Sequence, residues 1–145
     1  MIKNRKGSHT IYNLKVHLIW ITKYRKRVLK GEIQKRCREL IRQTADANDI
    51  RILKGAVGAE HVHLHLSYPP KLSVSDMVRK LKGRSGRKLL LEYKDILKGT
   101  YWGGHFWGIG YGAWSTGNVT DEILKDYLEN HNQHPNHNDD DFILS

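Results

Sequence analysis

The run Glu60-His61-Val62-His63-Leu64-His65-Leu66 constrains the fold more than any other stretch of the chain. Imidazole and hydrophobe alternate without a slip. Side chains on a β-strand point to opposite faces with a period of two. His61, His63 and His65 therefore belong to one face, and Val62, Leu64 and Leu66 to the other. A sheet built around such a strand buries its apolar face under helices and leaves the imidazole face open. Two imidazoles at i and i+2 lie within about 7 Å, and a metal–nitrogen bond is about 2 Å, so the pair can share one metal ion. The same alternation also suits a polar strand face of hydrogen-bonded histidines. No His-Glu-x-x-His motif and no Cys-x-x-Cys pair occurs, which excludes a helical zinc site of that kind and a zinc ribbon.

The flanking periodicities supply the rest of the architecture. Ile11 to Ile21 is rich in Ile, Val, Leu, Tyr and Trp and reads as a strand, followed by a basic loop, Lys23-Tyr24-Arg25-Lys26-Arg27. Ile33, Cys37, Leu40, Ile41 and Thr44/Ala45 recur with helical period between Glu32 and about Asn48. Ile50 to Val57 is a strand candidate, Gly58-Ala59-Glu60 a turn, and His61 to Tyr68 a third strand ended by Pro69-Pro70. Ser73 is placed to cap a second helix, with Val74, Val78, Leu81, Ser85 and Leu89 in a narrow apolar line. Gly103 to Ser115 is expected to be a fourth strand with bulges, and about Asp121 to Asn132 a further helix. The order β-α-β-β-α-β predicts an α+β, ferredoxin-like antiparallel sheet (RRM-like) plus a C-terminal helix. We expect a flexible basic N-terminus over residues 1–10, one domain over 11–134, and a polar acidic tail over 135–145. Ile11 to Ile21 is long and apolar enough to serve as a sheet edge that pairs with a second chain.

The net charge of +10 points to a polyanionic partner. With the three acids of the tail set aside, residues 1–134 carry +13. Arg79, Lys80, Lys82, Arg84, Arg87 and Lys88 fall within ten residues that hold no acid. Lys80, Arg84 and Arg87 form one row of a helix, Arg79 and Lys82 another, and such rows can track phosphates. Gly83 and Gly86 would permit close approach of DNA or of a partner helix. Tyr24, Tyr68, Trp102 and Trp107 are candidates for stacking on unpaired bases, or for core burial. No apolar run approaches the roughly 20 residues of a membrane helix, so no membrane partner is expected. The lone Cys37 leaves no internal disulfide, consistent with a cytoplasmic location.

Tyr127 and His131 are four apart and share one face of the last helix. An imidazole there could reach a metal while the phenol beside it reaches a group bound to that metal. Tyr127 could equally be a packing residue with a wet hydroxyl.

Taken together, these segments resemble the single-tyrosine HUH transposases of small insertion sequences that move as single-stranded DNA (TnpA type). The resemblance rests on His61-Val62-His63 followed by Tyr127-Leu128-Glu129-Asn130-His131. It is reinforced by Leu18 to Arg25, Leu81 to Arg87, Tyr101 to Trp107 and Ser115 to Thr120 in the same order. It implies that His61 and His63 bind a divalent metal, Mg2+ or Mn2+, and that Tyr127 is the catalytic nucleophile. His131 stands where the family often has a Gln as third metal ligand. His65 stands where it usually has an apolar residue, and no Arg occurs near Ile109. The resemblance further implies a homodimer whose tyrosine helix is donated across to the partner, acting on single-stranded DNA with hairpin ends. Lys23, Arg25, His65, Arg79, Lys82, Arg84 and Arg87 are the candidate DNA contacts.

A metal ion suits such chemistry because phosphodiester cleavage builds charge on the phosphate oxygens. A tyrosine nucleophile stores the cleaved bond as a 5′-phosphotyrosine, so the same site can rejoin strands without a nucleotide cofactor. Three other functions fit the residues: a non-catalytic ferredoxin-like nucleic-acid-binding module, a metal-dependent hydrolase using water, and a domesticated HUH nuclease.

Overall fold

The computed structural model describes residues 4–100, 104–115 and 121–130, without the side chains of Asp121 and Leu124. A short ribbon comes first, β1 (Arg5–Lys6) paired antiparallel with β2 (Ile11–Tyr12). The main sheet is built from β3 (Lys15–Ile21), β4 (Arg51–Val57), β5 (His61–Ser67) and β6 (Gly112–Trp114), and all its pairings are antiparallel. Its helices are α1 (Gly31–Ala47), α2 (Val74–Glu92), the one-turn α3 (Lys94–Leu97) and α4 (Asp121–Asn130). The spatial order is β4-β5-β3-β6. The main-sheet strands thus lie second, third, first, fourth, the ferredoxin-like arrangement expected from the element order.

The alternation of β5 is realised in full. Val62, Leu64 and Leu66 are buried at 0–2% exposure, whereas His61, His63 and His65 are half-buried on the other side. The apolar side joins Leu18 and Trp20 of β3 with Ile33, Cys37, Leu40 and Ile41 of α1 and Val78, Leu81 and Leu89 of α2. Both long helices therefore cover one face of the sheet. Ser73 caps α2 by accepting from the Asp76 backbone N–H at 3.0 Å, as the sequence predicts.

Three elements differ from expectation. Ile11 to Ile21 is not one strand. It breaks between β2 and β3, and β3 lies in the middle of the sheet between β5 and β6, so it offers no free edge. Among the described residues the free edges belong to β4 and β6. Arg5 and Lys6, expected within a flexible arm, are strand instead. The Arg5 guanidinium donates to Asp49 Oδ1 at 2.7 Å and to the Ser67 carbonyl at 3.3 Å, which ties the ribbon to the end of β5. Among the described residues of the expected fourth strand, Gly112–Trp114 alone is regular, with an isolated bridge between Thr22 and Trp107. Positive φ at Gly104 and Gly110 bends the segment out of the ladder. The carbonyls of Gly108 and Gly110 accept from Lys82 Nζ at 2.8 and 3.0 Å.

Candidate active site

Register places the candidate residues. Antiparallel pairing sets Ile21 opposite His61, Ile19 opposite His63 and His17 opposite His65. Directly opposed residues share a face, so Ile19, Ile21 and His17 lie on the imidazole side. There Ile19, Ile21 and Tyr127 form a second small core, with Trp114 and Leu128 packed against it. The tyrosine helix thus sits on the histidine face, one strand from the His61–His63 pair. Trp114 meets Tyr127 edge-on at 6.3 Å between ring centroids. Gly112 makes the fit possible: a Cβ there would collide with the Trp114 ring and stand 3.1 Å from Tyr127 Cδ2.

His61 is held from two sides. Its Nδ1 is 2.6 Å from Glu60 Oε1, and Glu60 is bound in turn by Arg27 Nη1 at 2.7 Å. Burial works against the Glu60 carboxylate, but the His61 hydrogen bond and the charges of His61, Arg27 and Arg25 outweigh it and keep the pKa below the ordinary value. The His61 ring also lies so close over Gly58 that a Cβ at that position would collide with it. A carboxylate on Nδ1 turns Nε2 outward as a lone-pair donor, the arrangement that orients metal-bound histidines.

The neighbouring rings follow the same logic. Burial, then the charges of His17, His61, His65 and Lys54, lower the His63 pKa, which favours the neutral imidazole that metals require. Among the described residues, Nε2 of His63 is buried without a hydrogen-bond partner. That donor set fits a divalent cation. Among the described residues no group of three His, Cys, Asp or Glu comes together as a metal cage. His131, the expected third ligand, lies outside them.

His17 was not among the sequence candidates. Its ring stacks on His65 at 3.9 Å with the planes 3° apart and lies 5.7 Å from His63. The parity it shares with Ile19 and Ile21 was visible in the sequence, whereas the register that sets it opposite His65 was not. Glu60 was likewise passed over as a turn residue.

The basic candidates divide. Arg25 lies near the site and donates to the Leu128 carbonyl at 3.1 Å. Lys23 is buried, with Nζ 5.1 Å from the Tyr24 ring centroid. Lys82 points inward, and burial lowers its pKa to about 8. Arg79, Lys80, Arg84 and Arg87 border a groove against Gln43 and Ala47 of α1. That groove belongs to the helical layer, so these basic residues of α2 lie away from the histidine face. Of the stacking candidates, Trp107 is in the core, donating to Ser85 Oγ at 3.0 Å and lying against Gly86. Tyr24 and Tyr68 pack on the same core, and Trp102 lies outside the described residues. Gly86 serves close approach within the fold.

The sequence pattern of the family described as transposase, IS200 like, matches residues 10–131. The chain belongs to this family. IS200-like relatives include the ISDra2 transposase TnpA of Deinococcus radiodurans, 34% identical over 128 residues, covering 88% of this chain and 91% of that protein. The transposase of insertion sequence element IS200 from Salmonella typhimurium is 34% identical over 122 residues, covering 84% of this chain and 79% of that one. Among solved structures, a candidate transposase from Deinococcus radiodurans superposes with a TM-score of 0.78 at 32% identity, over 87% of this chain and 96% of the other. A REP-associated tyrosine transposase bound to a REP hairpin shares the fold, with a TM-score of 0.54 at 15% identity over 86% and 68% of the two chains. Membership of the IS200-like family marks the chain as a transposase. No helix among its described residues is long and apolar enough to cross a membrane.

Proposed function

We propose that this transposase cleaves and rejoins single-stranded DNA at hairpin-marked ends through a 5′-phosphotyrosine on Tyr127. The observation that supports this reading most directly is the packing of Tyr127 with Ile19 and Ile21, the ladder partners of His63 and His61. That packing sets the Tyr127 ring on the same sheet face as the paired imidazoles.

In the proposed reaction the Tyr127 oxygen attacks the scissile phosphorus and the bond to the 3′-oxygen breaks. The phenol proton is lost, and the departing 3′-oxygen takes up a proton to become a hydroxyl. Rejoining is the reverse attack by a 3′-hydroxyl, which returns the phenol. His61 and His63 would hold a divalent cation, Mg2+ or Mn2+, with His131 as the third ligand. Such a cation supplies charge stabilisation at the phosphate oxygens and orients them for in-line displacement. Glu60 fixes the His61 ring. Burial pushes the Tyr127 pKa well above its ordinary value, so the packed phenol keeps its proton and is a poor nucleophile until the site opens to substrate. We further propose a homodimer, a cytoplasmic location and one working domain over residues 11–134.

The test is incubation of the full chain with hairpin-bearing single strands from the flanks of its own gene, with Mg2+ or Mn2+, followed by a denaturing gel. A DNA-linked protein band is expected. Tyr127→Phe should remove it while DNA binding persists, and chelation should remove it as well. A band that survives Tyr127→Phe overturns the assignment.

A further inference from the structure

The ladder between β4 and β5 contains an irregularity that changes which side chains share the histidine face. Arg51 pairs with Ser67 and Ile52 with Leu66, but the next pair is Lys54 with His65. Leu53 is the extra residue of a bulge. Arg51 and Lys54 are three apart, and in a regular strand they would point to opposite faces. The bulge turns both onto the face of His65 and Ser67. It also sends Gly55 to the apolar side, where an added Cβ would stand 3.1 Å from Leu64 Cδ2.

The other neighbour of β5 adds a third cation. Lys15 pairs with Ser67 on the side opposite Arg51. Lys15, Arg51 and Lys54 therefore flank His65 and Ser67 on one face, with Ser67 itself buried beneath the Arg5 guanidinium that donates to its carbonyl. Arg51 and Lys54 are exposed, and none of the residues paired along this stretch is acidic. At about 3.4 Å per residue, Ser67 lies roughly 14 Å along β5 from His63. The patch thus continues the histidine row at a distance that a few nucleotides span.

We propose that Lys15, Arg51 and Lys54 form a second phosphate-binding site, which holds the backbone of the single strand beyond the phosphate at His61 and His63. The site rests on the reading of the histidine face as the DNA-cleaving face. Its contacts are to backbone phosphate, so it adds affinity without base preference.

The experiment measures binding of the full chain to a hairpin-free oligothymidylate across a salt series. The variants are Arg51→Ala/Lys54→Ala, the conservative pair Arg51→Lys/Lys54→Arg, and Lys35→Ala on α1 as a control for net charge. The slope of log K against log salt should become shallower by about 0.7 for each cation removed from the patch. The conservative pair should keep the parent slope, and so should Lys35→Ala. An unchanged slope in the double alanine variant overturns the site. So does an equal change in Lys35→Ala, which would report net charge alone. Tyr127-linked adducts do not enter this measurement, so failure of the patch and failure of the transposition chemistry are read separately.

Discussion

Arg25 Nη1 donates to the carbonyl oxygen of Leu128 at 3.1 Å, one residue past the candidate nucleophile Tyr127. The bond crosses from the turn after β3 to the last turn of α4, where main-chain carbonyls lack helical partners. Tyr24 and Arg25 both adopt positive φ, 59° and 53°, an uncommon conformation for residues with side chains. The turn aims Arg25 at the helix that carries the tyrosine. Arg25→Ala should loosen α4 locally by about 1 kcal/mol, about fivefold in amide exchange across the helix. Hydrogen exchange followed by mass spectrometry measures it. Unchanged exchange in α4 would show that the bond does not hold the helix.

Glu60→Gln tests the orientation of His61. The amide keeps the shape of the side chain but removes the charge that faces His61 Nδ1 and Arg27. Loss of such a partner weakens metal affinity by about 10–100-fold. Titration calorimetry with Mn2+ measures the change, and parental affinity in the variant would remove Glu60 from the site.

Gly112→Ala probes the seat of Tyr127. The new Cβ would meet the Trp114 ring and Tyr127 Cδ2. Crowding of this kind costs about 1–3 kcal/mol. A lower urea midpoint and a shift in tryptophan fluorescence are expected. Parental values for both would contradict the packing of α4 on the histidine face.

Lys82 makes stability depend on alkaline pH. Its pKa is about 8 in the fold against an ordinary 10.5, because burial disfavours the charge. Between those values the unfolded chain binds more protons, so stability rises with pH. The cost is fully present below about pH 8 and is relieved as pH climbs toward 10.5, by up to about 3 kcal/mol. Lys82→Met should flatten this rise in urea midpoints while freeing the carbonyls of Gly108 and Gly110. A rise that persists in the variant would assign the effect elsewhere. Above about pH 10 ionisation of Tyr127 in the unfolded chain lowers stability, so the series ends there.

Much of this was legible along the chain because its signals are local. Alternation from His61 to Leu66 set the faces of β5, and helical period set α1 and α2. The irregular path of residues 104–111 was not legible, because its carbonyls are satisfied by Lys82, a residue of another element. Nor was the bulge at Leu53, since Arg51 to Val57 carries no alternation strong enough to reveal a slipped register.

Alone, the amino-acid order determined which residues could be ligands and nucleophile, and which face of each element they would occupy. Periodicity is a property of neighbours in the chain. Only the tertiary structure decided what those faces meet. Pairing of β3 with β5 set Ile21 against His61 and His17 against His65. Packing of α4 brought Tyr127 to that face, and coverage of the opposite face by α1 and α2 carried the basic rows of α2 away from it. Those outcomes depend on contacts between residues up to about a hundred positions apart, such as Arg25 with Leu128. No local pattern encodes such contacts.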